Sequence, residues 1–138
     1  MDNKELLRLA EVARRRSYSP YSGISVGAAL LTKSGKVFLG ANIENSAFSP
    51  SVCAERVALF KAISEGEREF SAIAVAGGSG ESEESFSPCG VCRQVMSEFS
   101  EGDMLVIWGT EKALTVRTLR ELIPNAFGKA HTSFGGGL

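Results

Sequence analysis

Every cysteine of the chain falls in two short stretches, Cys53-Ala54-Glu55-Arg56 and Pro88-Cys89-Gly90-Val91-Cys92-Arg93. Three thiols and one carboxylate in the order C-x-E then P-C-x-x-C suit a catalytic zinc better than a structural one, because structural zinc sites close with four protein ligands. Three ligands leave a position for water, whose pKa zinc lowers toward neutrality. On this reading Cys53, Cys89 and Cys92 hold one Zn²⁺ per chain, and Glu55, which is not a ligand, carries protons.

Zinc binds thiolate, and a thiol ionises more readily at the electropositive start of a helix. Both motifs place cysteines there, so two helix ends must converge for a site to exist. Three thiolates around Zn²⁺ leave a net negative centre unless cations offset it. Arg56 and Arg93 each stand within a turn of a ligand, and at least one of them is expected to donate to a thiolate sulfur. A redox C-x-x-C pair is the simpler reading of Cys89 and Cys92, but it has no use for Cys53 and Glu55. A closed structural zinc site has no use for a free carboxylate beside the metal.

The elements that must position these groups follow from the pattern. Leu6, Leu9, Ala10 and Ala13 have the spacing of one helical face over residues 4–16. Arg14-Arg15-Arg16 at its end reads as cations favoured by the helix dipole, with Ser19-Pro20 stopping the helix, rather than as a nucleic-acid patch. Ile24, Val26, Ala28 and Leu30 alternate, as do Val37, Leu39, Ala41 and Ile43 after a turn at Lys33-Ser34-Gly35, which predicts an antiparallel hairpin. Asn42 and Glu44 share the other face of the second strand, side by side at its end. A helix near 53–65, apolar nearly all round and stopped by Gly66, is expected to be buried on more than one side. Ala72-Ile73-Ala74-Val75-Ala76 and Met104-Leu105-Val106-Ile107-Trp108 read as strands covered on two faces, flanking a helix at about 90–99. The order predicts an α/β fold, a three-layer α/β/α sandwich with a mixed sheet. Thr118-Leu119-Arg120-Glu121 has capping-box spacing before a short helix ended by Pro124.

With 138 residues, the chain suits one domain spanning 1–138, in which the glycine-rich end, about 129–138, reads as a mobile or interface tail. Lys and Arg total 15 against 16 Asp and Glu, a net charge of −1, which predicts no nucleic-acid partner. Apolar runs are too short to span a bilayer, so no membrane partner is expected. The N-terminus lacks the basic-then-apolar order of a signal peptide, and three cysteines with a C-x-x-C pair suit an intracellular, cytoplasmic protein. His131, the one histidine, stands in a polar tail without ligand spacing and is read as incidental.

The sequence resembles the small, three-cysteine, homotetrameric cytidine deaminases. Matching stretches run through the chain in order: Tyr21-Ser22 with Val26-Gly27-Ala28-Ala29-Leu30, Asn42-Ile43-Glu44-Asn45, Cys53-Ala54-Glu55-Arg56, Pro88-Cys89-Gly90-Val91-Cys92-Arg93-Gln94, and Glu121-Leu122-Ile123-Pro124 with Ala126-Phe127. The resemblance implies zinc-dependent hydrolysis of cytidine and 2′-deoxycytidine to uridine and 2′-deoxyuridine, with Asn42 and Glu44 on ribose hydroxyls. It implies that the Ala54 N–H holds the pyrimidine carbonyl, that residue 24 lies against the base, and that Phe127 reaches a neighbouring subunit's site. Ile24 stands where the family often has an aromatic residue, and Phe48 where it often has tyrosine. The nearest rivals are a deaminase of a cytosine-containing metabolite, of the blasticidin S deaminase kind, and a non-catalytic zinc-stabilised binding module. A ribose-reading pair speaks against the first and Glu55 against the second.

Overall fold

The computed structural model describes residues 1–80 and 82–129. Nine elements follow in order: α1 (Asn3–Arg14), β1 (Ile24–Thr32), β2 (Val37–Ala41), α2 (Ala54–Ser64), β3 (Phe70–Ser79), α3 (Gly90–Phe99), β4 (Leu105–Thr110), β5 (Ala113–Thr118) and α4 (Leu119–Leu122). The strands form one sheet in the order β2-β1-β3-β4-β5. β1 pairs antiparallel with both β2 and β3, and β4 with β5, while β3 and β4 are parallel. Two helical crossovers result, since α2 carries the chain from β2 past β1 to β3, and α3 carries it from β3 to β4.

Apolar side chains on the two faces of the sheet make two cores. Leu6, Leu7 and Ala10 of α1 pack on Ala29, Ala74 and Ile107. On the opposite face α2, α3 and α4 pack through Ala58, Leu59, Met96 and Leu119 onto Leu30, Ile73 and Val106. This is the three-layer α/β/α sandwich with a mixed sheet, and α2 and α3 lie together on one side of it.

The approach of α2 to β2 is unusually close because position 40 has no side chain. A Cβ at Gly40 would lie 2.5 Å from both the Ala54 carbonyl oxygen and the Ala58 nitrogen. The first turn of α2, which bears Glu55, therefore sits directly on the sheet.

β5 was not read from the pattern, because it is an edge strand with two exposed residues and none fully buried; its signal is the Leu114, Val116 alternation after Gly109. α2 buries Ala54, Glu55, Ala58, Leu59 and Ala62 and leaves Phe60 46% exposed. Arg14 is the basic residue of the last turn of α1, as expected, and the structure adds that its side chain is buried, 4% exposed. Its guanidinium donates to the Ser25 carbonyl and hydroxyl and to the Gly80 and Ser82 carbonyls. His131 and most of the expected tail lie outside the described residues.

Candidate metal centre and active site

Cys53 and Cys89 are the N-caps of α2 and α3, in extended backbone conformation, and neither spends its side chain on capping. Cys92 follows in the first turn of α3 and is fully buried in the core that α2 shares. The two helix starts converge as expected. Cys53 Sγ lies 3.9 Å from Cys89 Sγ, and all three sulfurs lie within 4.8 Å of one another. Tetrahedral thiolates about 2.3 Å from zinc stand about 3.8 Å apart, so the cluster fits the ion with little adjustment.

The electrostatics of the thiols favour the same conclusion. Cys53 is lowered to about 5, first by a hydrogen bond from Cys92 and then by Arg56, against the effect of burial. Cys92 is pushed up by its bond to Cys53, by burial and by the negative charges of Glu55, Cys53 and Cys89. One thiolate forms easily and the next is opposed by its neighbours. A dication at the centre removes that opposition.

Arg56 Nη2 donates to Cys53 Sγ at 3.3 Å, while its Nε is buried without an acceptor among the described residues. Arg93 is spent differently. It donates to the Pro88 carbonyl at 2.7 Å, the Leu122 carbonyl at 2.9 Å and the Ser87 hydroxyl at 3.2 Å, tying the approach to Cys89 to the end of α4. Its guanidinium holds the ligand loop and does not touch sulfur.

Glu55 is 5% exposed in the first turn of α2. Burial pushes its carboxyl up to about 6, and the Cys53 thiolate acts in the same direction. A carboxyl titrating near neutrality can both accept and return a proton at physiological pH.

Beside the sulfurs opens a cavity of about 360 Å³ whose walls include Asn42, Glu44, Ala54, Glu55 and Cys89. The Ala54 N–H belongs to the first turn of α2, where amides have no acceptor within the helix. Asn42 stands just past the end of β2 and substitutes for strand pairing: Oδ1 accepts from Val26 N–H at 2.8 Å and from the Ser17 hydroxyl, and Nδ2 donates to the Ile24 carbonyl at 2.9 Å. Glu44 Oε1 accepts from the Tyr21 and Ser22 amides at 2.9 and 3.1 Å, and Oε2 accepts from the Ser22 hydroxyl. The Ser22 hydroxyl, then its amide and that of Tyr21, hold this carboxyl below the usual range.

Ile24 and Phe127 are not among the residues lining the cavity of the single chain. Phe127 is exposed, its carbonyl accepting from Gln94 Nε2 at 2.8 Å. Phe86, half-buried, does line the cavity and was missed, because a lone aromatic in an irregular loop carries no periodic signal.

Three converging thiols with a non-ligand carboxylate beside them, on an α/β/α sheet, define a zinc centre of the nucleobase-deaminase class. Residues 1–108 match the family model described as the cytidine and deoxycytidylate deaminase zinc-binding region. The cytidine deaminase of Sporosarcina psychrophila is 45% identical, covering 97% of this chain and 97% of that one. That of Halalkalibacterium halodurans is 47% identical over 92% of this chain and 95% of its own. Among solved structures, a cytidine deaminase from Burkholderia pseudomallei superimposes with a TM-score of 0.84 at 43% identity, covering 92% of this chain and all of that one (100%). The chain belongs to the cytidine and deoxycytidylate deaminase family, and its metal is zinc.

Proposed function

We propose that this chain hydrolyses cytidine and 2′-deoxycytidine to uridine and 2′-deoxyuridine, releasing ammonia. The observation that carries this reading is the buried Glu55 carboxyl beside three sulfurs within 4.8 Å of one another, in a cavity shared with Asn42 and Glu44. Cytidine deaminases 45% and 47% identical to the chain support the same substrate.

Cys53, Cys89 and Cys92 would hold the zinc, with Arg56 hydrogen-bonded to the Cys53 sulfur. The chemistry a bound zinc supplies is Lewis acidity, which lowers the pKa of water toward neutrality. Glu55 takes a proton from the attacking water and delivers it to the ring nitrogen next to the amino-bearing carbon. That carbon becomes electrophilic, oxygen adds to it, and a second proton passed to the amino group lets the C–N bond break and ammonia leave. One water is consumed per nucleoside.

Hydrogen-bond capacity at the sugar end fits a hydroxyl. A carboxylate offers about four acceptor sites and an amide two donors; Glu44 has three donors on it and Asn42 has donated once. Among the described residues, one acceptor at Glu44 Oε2 and one N–H at Asn42 Nδ2 are left, a matched pair for one hydroxyl. A single hydroxyl read in this way is compatible with ribose and 2′-deoxyribose alike. A cytosine metabolite without such a hydroxyl would leave both groups unmatched.

Assembly into a homotetramer, with Phe127 shared across subunits, is part of the proposal, as is a cytoplasmic role in pyrimidine salvage. Phe48 at 71% and Phe127 at 61% exposure support a further covering surface. Among the described residues no helix is long and apolar enough to cross a membrane.

The test is ammonia release from cytidine alongside the loss of its absorbance, with zinc measured on the same sample and mass measured by light scattering. Turnover with about one zinc per chain, in a four-chain particle, is expected. Bound zinc without turnover of either nucleoside overturns the substrate assignment.

A further inference from the structure

The connection between β3 and α3 folds back over the end of its own strand. Glu84 N–H donates to the Gly77 carbonyl at 2.8 Å, and Arg14 Nη2 holds the Gly80 and Ser82 carbonyls at 2.9 and 2.6 Å. Glycines at 77 and 78 make the return feasible. A Cβ at Gly78 would lie 1.9 Å from the Ser82 carbonyl oxygen, and one at Gly77 would lie 2.5 Å from Phe86 Cδ2, 3.1 Å from Cε2 and 3.2 Å from Val26 Cγ2. The Phe86 ring thus occupies the space that a side chain at 77 would fill.

Phe86, Val26 and Val75 are apolar residues of the cavity wall, and Phe86 is the aromatic among the described lining residues. It lies one residue before Ser87 and three before Cys89, both of which also line the cavity. The polar pair Asn42 and Glu44 belongs to a different segment, past the end of β2. We propose that Phe86 is a specificity-determining residue: its ring, seated over Gly77, is the wall against which the pyrimidine base packs. The inference rests on the nucleoside deaminase reading. Gly77 and the Arg14 clamp are positioning elements that set how far the ring projects into the cavity.

Aromatic contacts contribute about 0.5–1.5 kcal/mol beyond buried area, which corresponds to roughly 2- to 12-fold in affinity. The experiment uses the zinc-loaded full chain, with steady-state kinetics on cytidine and equilibrium binding of uridine. Phe86→Ala and Phe86→Leu are expected to raise KM for cytidine and Kd for uridine in parallel, by about 3- to 10-fold for alanine, with kcat moving less and zinc content unchanged. Gly77→Ala places a methyl 2.5 Å from the ring, displaces it, and is also expected to weaken uridine binding; in a Phe86→Ala background the same substitution should have little further effect. Unchanged KM and Kd in Phe86→Ala, or an equal effect of Gly77→Ala in both backgrounds, overturns the inference while the deaminase reading stands. A wild-type protein that does not turn over cytidine overturns both. Phe86→Leu keeps the test open should Gly77→Ala fail to fold.

Discussion

In the proposed mechanism Glu55 is the residue on which the chemistry turns, and its environment separates two roles that a carboxylate beside a metal could have. It is buried and pushed up to about 6, a proton carrier's environment, while the three sulfurs suffice to hold the ion. Glu55→Gln keeps the shape and removes the proton, so zinc content should stay near one per chain and turnover should fall by about 10²–10⁴-fold; loss of zinc would instead make Glu55 a ligand. Besides the sugar contact proposed for it, Glu44 gathers Tyr21 and Ser22 through hydrogen bonds. Its folded pKa is depressed by the Ser22 hydroxyl, the Ser22 amide and the Tyr21 amide. Its contribution is therefore present above the unfolded value and lost as pH falls through the folded one. Glu44→Gln should lower the melting temperature at pH 7, and the gap to wild type should close toward acid; a gap independent of pH would deny the carboxylate that role. The three-cysteine cluster was legible because zinc chemistry fixes ligand type and spacing, whereas the roles proposed for Asn42 and Glu44 came from the family resemblance. Phe86 and the burial of Arg14 were not legible, since a loop aromatic and a buried guanidinium are defined by what folds over them.

At the scale of elements, α1 to α3 and β1 to β4 announce themselves through the apolar pattern: α1, β1 and β2 by a periodic apolar face, α2, β3 and β4 by continuous apolar runs, and α3 by its place between β3 and β4. β5 escapes that reading: its side chains are short, polar or half-exposed, and its place is set by pairing with β4 through Leu105↔Thr118 to Thr110↔Ala113. Closeness of packing is equally invisible to a hydrophobic pattern. Gly40 would be read as a weak point in a strand, yet its missing side chain is what lets the α2 start sit on the sheet. Gly40→Ala places a methyl 2.5 Å from the backbone of Ala54 and Ala58, and overpacking against backbone costs about 1–3 kcal/mol. The variant should melt lower and bind zinc more weakly, because the strain falls on the turn between Cys53 and Ala58. If only stability fell and zinc affinity held, the displacement would have been absorbed further along the helix.

For the whole molecule, the metal site is also a tie. Cys53 and Cys89 are 36 residues apart in sequence, and they start two helices that cover the same face of the sheet. An ion held by both, and by Cys92 in the core, joins two segments that also meet through side-chain packing and the Cys53–Cys89 contact. Binding to the folded state alone stabilises by about 4 kcal/mol when free ligand exceeds Kd by 1,000-fold. The same thiols resist ionising together without the ion, as the opposite displacements of Cys53 and Cys92 show. Chelation should therefore lower the melting temperature by several degrees, and zinc added back should restore it together with turnover. Because the ligands must shed protons to bind, the zinc-dependent part of the stability should fade as pH drops below neutrality. A stripped protein that melts where the loaded one does would show that packing of α2 and α3 holds the site open without the metal, leaving zinc a purely chemical role.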